Sequence, residues 1–278
     1  MCTPEAEERR LRDSPCRKPS GNRSYRVCSS QRRRRCPAFA AALVLLAIFA
    51  SRTAIAAPEE VAYATSDAFR ILASYYRPLA RSTAAIVILP DPKEGRGAWG
   101  ALAESLWAGG FHVLVPDLRG TAQSVMQRGV RRDRARFTQS EAANAGLDAE
   151  AALRYLGGLP DTGIRAVALI ASGNAVMTVP GARRASSWRS SRILISPSPD
   201  KDSESWTEAM RSEVGDLLVI VTSHDLNGID VAATLIPEDG SKECWMIEGT
   251  DRGPGLLVAR SDLVGPLSRW IRASLSSL

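Results

Sequence analysis

The chain has 278 residues, 45% of them apolar and 24% charged, a composition that supports a packed core and excludes a wholly disordered protein. Its net charge of +6 comes from the amino terminus, because residues 1–56 hold 12 Lys or Arg and 4 Asp or Glu, whereas the rest of the chain holds 24 and 26. A basic surface for nucleic acid is therefore not expected in the main part of the chain. No CxxC, HExxH or Cys/His cluster occurs, so the sequence predicts no metal and no cofactor.

Residues 1–56 have the pattern of an export signal with a long basic n-region. Four arginines at 32–35 precede an apolar run at 37–50, and residues 54–56 read AIA, a small-residue cleavage pattern. The run of about 14 residues is shorter than the roughly 20 that span a bilayer. We predict export to the periplasm or the medium by a cleaved signal peptide. The alternative is an uncleaved signal-anchor, which would be the membrane contact of the protein.

The remaining chain, 57–278, is predicted to be one α/β domain. Short apolar runs alternate with helical patterns, which is typical of a mostly parallel sheet flanked by helices on both faces. The patterns predict strands at 85–89, 111–115, 165–170, 193–195, 217–222 and 244–247, helices at 100–110, 140–156 and 263–278, and an antiparallel edge hairpin within 61–76. Each strand run is short and bounded by turn residues, as expected for a buried parallel sheet.

Two motifs resemble the α/β-hydrolase superfamily, in particular its esterase and dienelactone-hydrolase-like members. Residues 117–124 read DLRGTAQS, similar to the D-x-R-G-x-G-x-S segment after the family's fourth strand. Trp99, Leu102 and Leu106, followed by Gly110 and Phe111, match the run that precedes that segment. The resemblance covers roughly residues 60–278. It implies an α/β-hydrolase fold and a triad of serine, acid and histidine in that chain order.

The resemblance implies that two of the three triad positions are empty. The family's G-x-S-x-G turn aligns with residues 171–175, which read ASGNA and place Gly173 at the nucleophile position. Glycine keeps a tight turn with positive φ but carries no nucleophile. The late histidine aligns with Arg252 in the segment GTDRG at 249–253. A guanidinium stays protonated and cannot serve as a general base.

The acid position is kept, and a binding loop is implied. Asp225 matches the family's acid, and we expect it to form an ion pair with Arg252, in bidentate geometry, that holds the two loops together. Pro92 and Gly95 lie in the loop after the first buried strand, where the resemblance places an oxyanion-hole amide and hence a binding position.

Two main functions remain open from the sequence, and a purely structural domain in an envelope complex is a third possibility. The first is a non-catalytic relative that binds a small molecule or a protein partner, because a pocket above the strand ends can persist without its triad. The second is a serine hydrolase of carboxylic esters that uses a displaced Ser172 as nucleophile and His224 as base. Ser172 also fits a structural role as a small residue in a tight turn, and that interpretation is favoured.

Five arginines between 128 and 136 form a basic run after the DLRG segment. The run could bind an anionic partner or could be a solvated loop. Asp133 within it, together with the negative balance after residue 56, favours the solvated loop. It has no interleaved aromatic residues of the kind that stack on nucleic-acid bases.

Overall fold

The computed structural model describes residues 58–184, 187–199, 204–213, 215–237 and 242–276, and the proposed leader at 1–56 lies outside them. The strands are β1 Glu59–Ala64, β2 Phe69–Tyr76, β3 Ala84–Leu89, β4 His112–Pro116, β5 Met126–Gln127, β6 Val130–Arg131, β7 Ala166–Ser172, β8 Arg189–Ile195, β9 Leu217–Thr222 and β10 Glu243–Ile247. The α-helices are α1 Gly100–Ala108, α2 Gln139–Ala143, α3 Gly146–Gly157, α4 Glu204–Arg211, α5 Leu226–Leu235, α6 Gly253–Ala259 and α7 Val264–Ser276. Short 3₁₀ segments lie at Arg96–Trp99, Arg134–Arg136, Gly173–Arg184 and Ser261–Leu263.

The ten strands form one sheet in the order β10-β9-β8-β7-β3-β4-β2-β5-β6, with β1 paired to β2. Strands β4, β3, β7, β8, β9 and β10 run parallel, whereas β2 is antiparallel to β4 and β1 is antiparallel to β2. The edge hairpin expected within 61–76 is therefore confirmed, as is the α/β class.

Helices cover both faces of the sheet. Successive residues of a strand point to opposite faces, and on β3 both Val87 and Ile86 are fully buried. Val87 belongs to the large core cluster that also holds α3, α4 and α5 residues such as Leu153. On the other face α1 and α7 pack against each other and bury Leu106 and Leu267. Burial on both faces explains why the strands read as continuous apolar runs.

Two elements differ from their predicted bounds. The helix predicted at 140–156 is broken into α2 and α3 around Asn144, after a capping box at Thr138 begins α2. Gly146, the first residue of α3, packs so closely on Gly181 that a Cβ on Gly146 would lie 3.1 Å from the Gly181 Cα. The strand predicted to end at residue 170 continues to Ser172, because β8 pairs with it that far.

The arginine of the DLRG segment holds the sheet and the helices together. Arg119 donates from its backbone and its Nε to the two oxygens of Asp148, both at 2.8 Å. Its Nη1 donates to Asp67 at 2.9 Å, and its guanidinium lies 5.3 Å from the centre of the Phe69 ring. Burial raises the pKa of Asp148 to about 6 although Arg119 opposes the shift.

Among the described residues, no helix combines the length and the apolar character needed to cross a membrane.

Candidate functional site

The turn at residues 171–175, here called the elbow, has glycine at its centre. Strand β7 ends at Ser172, and Gly173 follows with φ of +52°, after which the chain enters a 3₁₀ segment. A side chain in this left-handed conformation is strained, which glycine avoids. The backbone N–H of Asn174, the next residue, donates to the carboxylate of Asp91 at 2.6 Å. In the α/β-hydrolases that the sequence resembles, the corresponding N–H forms part of the oxyanion hole.

The carboxylate of Asp91 fills the space above Gly173. A Cβ on Gly173 would overlap Asp91 Oδ2 and lie 2.7 Å from Asp91 Cγ. The other oxygen, Oδ1, accepts a hydrogen bond from the Lys93 N–H at 2.9 Å. Asp91 was not among the site residues expected from the sequence. The available signal was an acidic residue directly after β3, opposite an elbow that has lost its side chain.

Ser172 is a buried structural residue in this geometry. Its side chain is 0% exposed, and its Oγ accepts from the Asp91 N–H at 3.0 Å and donates to Glu94 Oε2 at 3.2 Å. His224 lies on the surface instead, with its Nδ1 3.1 Å from the Gly249 carbonyl oxygen. No hydrogen bond joins the side chains of Ser172 and His224, both of which are described, so the structure does not bring the suggested nucleophile and base together.

Glu94, in the loop after β3, contacts both the elbow and the turn at 249–253. Its Oε2 accepts hydrogen bonds from Ser172 and from Trp99 Nε1, the latter at 3.2 Å. Its Oε1 lies against Gly253, where an added Cβ would be 2.6 Å away. Burial raises the pKa of Glu94, while the two donors oppose the shift.

The ion pair expected between Asp225 and Arg252 is present. Arg252 Nη1 lies 2.9 Å from Asp225 Oδ1, as a single contact and not as a bidentate fork. The Asp225 side chain is 0% exposed and also accepts from the Gly228 N–H at 3.0 Å, which caps α5. Burial raises the pKa of Asp225, and the Gly228 N–H and Arg252 oppose that shift. Arg252 is 44% exposed, so its charge remains partly solvated.

Pro92 and Gly95 lie in different places. Pro92 lines the cleft above the elbow, but proline has no N–H to donate to an oxyanion. Gly95 has ordinary extended backbone (φ −96°), and its carbonyl accepts from the Ala98 N–H at 3.1 Å. In the same loop, the Lys93 N–H donates to Asp91 Oδ1.

A cleft of about 990 Å³ opens above the elbow at the carboxyl ends of the parallel strands. Its lining combines acidic, basic, amide and small residues: Asp91, Pro92, Lys93, Arg134, Ala135, Asn174, Ser198, Pro199, Asn227, Asp230 and Val231. Ligands of open α/β sheets bind at this end of the strands. In the part of the chain that the structure describes, no group of three or more His, Cys, Asp or Glu is placed to hold a metal ion.

One arginine of the basic run belongs to this cleft. Arg134 is half-buried and donates from Nη2 to Asn174 Oδ1 at 3.0 Å. The prediction of a solvated loop is therefore wrong for Arg134. Arg131 fits that prediction, because it is exposed and pairs with Asp133.

No family model and no curated protein matches the chain. Solved structures do match it, and they show that the chain has the α/β-hydrolase fold. An esterase of Pyrococcus furiosus, Pf2001, aligns with a TM-score of 0.60 and 12% identity over 80% of this chain and 94% of its own. The dienelactone hydrolase of Anabaena variabilis aligns with a TM-score of 0.58 and 15% identity over 78% and 99%. The esterase RhEst1 of a Rhodococcus species aligns with a TM-score of 0.56 and 13% identity over 77% and 99%.

Proposed function

We propose that this protein is an exported, non-catalytic protein of the α/β-hydrolase fold that binds a small molecule or a protein partner in the cleft above Gly173. The observation that carries the proposal is the Asp91 carboxylate on the Asn174 N–H. Acyl transfer depends on donors aimed at the oxyanion that develops in the transition state. Here that donor already holds a negative charge, and the residue beneath it has no nucleophile.

The residues at the acid and histidine positions support the same proposal. A general base must take a proton from the nucleophile, and the guanidinium of Arg252 has no lone pair for that purpose. Its contact with Asp225 instead joins the turn at 249–253 to the start of α5. Both positions therefore have a structural use that does not require catalysis.

The cleft supports a binding role by its size and lining. A volume of about 990 Å³ lies at the upper end of the range of about 300–1,000 Å³ for small-molecule sites. Asp91, Asp230, Lys93 and Arg134 are among its lining residues, so charges of both signs surround the cleft. The neighbours named as esterases and as a dienelactone hydrolase make ester hydrolysis the activity to test against this proposal.

The test combines turnover with binding. Purified protein and its Ser172→Ala variant are assayed with p-nitrophenyl acetate and butyrate, and a polar small-molecule library is screened by thermal shift. We expect no turnover above buffer in either protein and ligands whose shift is lost in Ser198→Trp, which narrows the cleft. Val258→Trp is the matched control, because Val258 is exposed on α6 and does not line the cleft. Turnover that disappears in Ser172→Ala would overturn the proposal in favour of a displaced-site hydrolase.

Export is proposed from the pattern of residues 1–56. Amino-terminal sequencing of the protein recovered from outside the cytoplasm is expected to begin at Ala57. Recovery of the uncleaved chain in the membrane fraction would instead support the signal-anchor alternative.

A further inference from the structure

The elbow binds the carboxylate of Asp91 through a backbone N–H, as it could bind the carboxylate of a ligand. Asp91 and Asn174 follow β3 and β7, which are neighbours in the sheet and pair through Leu89 and Ala171. Oδ2 of Asp91 accepts the N–H of Asn174, 83 residues along the chain, at 2.6 Å. Oδ1 accepts the N–H of Lys93 at 2.9 Å, in an exposed hydrogen bond within the turn that follows β3. These two N–H groups are here called the anion pocket. Short charge-assisted bonds of this kind are among the stronger hydrogen bonds in proteins.

The anion pocket and the absent side chain at 173 are linked by volume. A Cβ at position 173 would overlap Asp91 Oδ2, so a residue other than glycine and the bound carboxylate exclude each other. The backbone of Asp91 is also fixed, because its N–H donates to the buried Ser172 Oγ at 3.0 Å. Ser172 therefore fixes the backbone of Asp91 and the Asn174 N–H fixes its side chain, which together keep the carboxylate above Gly173.

We propose that the elbow retains a working carboxylate-binding pocket whose resident ligand is the protein's own Asp91. Removing that side chain opens the pocket to short external carboxylates such as acetate. In the wild-type protein the tethered carboxylate has a high effective concentration and repels other anions. In the wild-type protein the pocket therefore rejects external carboxylate ligands. This inference concerns the site of the proposed function but does not depend on the absence of catalysis.

The first test measures thermal unfolding midpoints at pH 7 in 100 mM sodium acetate and in sodium chloride of equal ionic strength. For Asp91→Ala, a Kd near 10 mM for acetate would raise the midpoint by about 3–6 °C over chloride. Wild type is expected to show no such difference. Asp262→Ala is the matched control, because Asp262 is exposed and pairs only with Arg260 on the surface among the described residues. A shift in wild type equal to that in Asp91→Ala, or no shift in Asp91→Ala, would overturn the inference.

The second test uses the volume conflict and does not need Asp91→Ala to fold. Gly173→Ser is compared with Gly163→Ser, because Gly163 has a similar φ of +59° but only one side-chain atom, 3.9 Å away, near an added Cβ. Both variants place a side chain at a similar positive φ, but only the one at position 173 meets the Asp91 carboxylate. We therefore expect Gly173→Ser to lower the midpoint several degrees more than Gly163→Ser. Equal losses in wild type would contradict the proposed pair of Asp91 and Gly173. Esterase assays report separately on the proposed function.

Discussion

Replacing Ser172 by alanine tests whether this serine has a structural or a catalytic role. The side chain is 0% exposed, and its Oγ is both the acceptor for the Asp91 N–H and a donor to Glu94. Alanine leaves the N–H of the half-buried Asp91 without that partner, which costs up to about 1–3 kcal/mol, and removes a hydrogen bond to a carboxyl group. Because Glu94 is half-buried and can gain water, we expect a total loss of about 2–4 kcal/mol in the free energy of unfolding.

Equilibrium urea unfolding at pH 7 measures this loss, with Ser191→Ala as the matched control. Ser191 lies on the adjacent strand β8 and is 1% exposed, but its Oγ has no hydrogen-bond partner among the described residues. Its replacement should change stability by less than about 1 kcal/mol, because no hydrogen bond is lost. The reasoning is refuted if the two variants unfold at the same urea concentration. Wild-type stability in Ser172→Ala together with a lost esterase activity would identify a catalytic residue.

Two further predictions concern buried carboxylates. Burial raises the pKa of Asp225, so its ionised form lowers the stability of the folded state at neutral pH. This loss of stability disappears as the pH falls through that pKa and the carboxylate is protonated. We expect Arg252→Gln to cost about 1–2 kcal/mol at pH 7, less at pH 4, and little in an Asp225→Asn background, as measured by urea unfolding. Asp148, with a pKa of about 6, takes up a proton in the folded state between pH 7 and 5 that the unfolded chain does not. Wild type should therefore gain about 1 kcal/mol of stability over this fall from that residue, and Asp148→Asn should lack the gain; equal pH dependence of the two proteins would contradict it.

Most of the fold could be predicted from the sequence because burial leaves a direct pattern. Strands β3, β7 and β9 are buried almost throughout and read as continuous apolar runs. The elbow could also be placed, because the small residues Ala171 and Ala175 flank a glycine that has positive φ in the structure. The same alignment led to the Asp225–Arg252 ion pair.

The contents of the site could not be predicted, because they depend on which strands become neighbours. Asp91 and Asn174 are 83 residues apart in the chain and meet only because β3 and β7 are adjacent. Arg134 lies in a loop whose composition is that of a solvated surface, yet it reaches the elbow through Asn174.

Intact-mass spectrometry after treatment with a fluorophosphonate tests most directly whether the site is catalytically empty. The reagent phosphonylates an activated serine at an oxyanion hole, and an active serine esterase treated in parallel confirms its potency. We expect the folded wild-type protein to keep its unmodified mass, because Gly173 has no nucleophile and Ser172 Oγ is buried. A mass increase of one phosphonyl group that is lost in Ser172→Ala would contradict this and would show that the protein is a serine hydrolase.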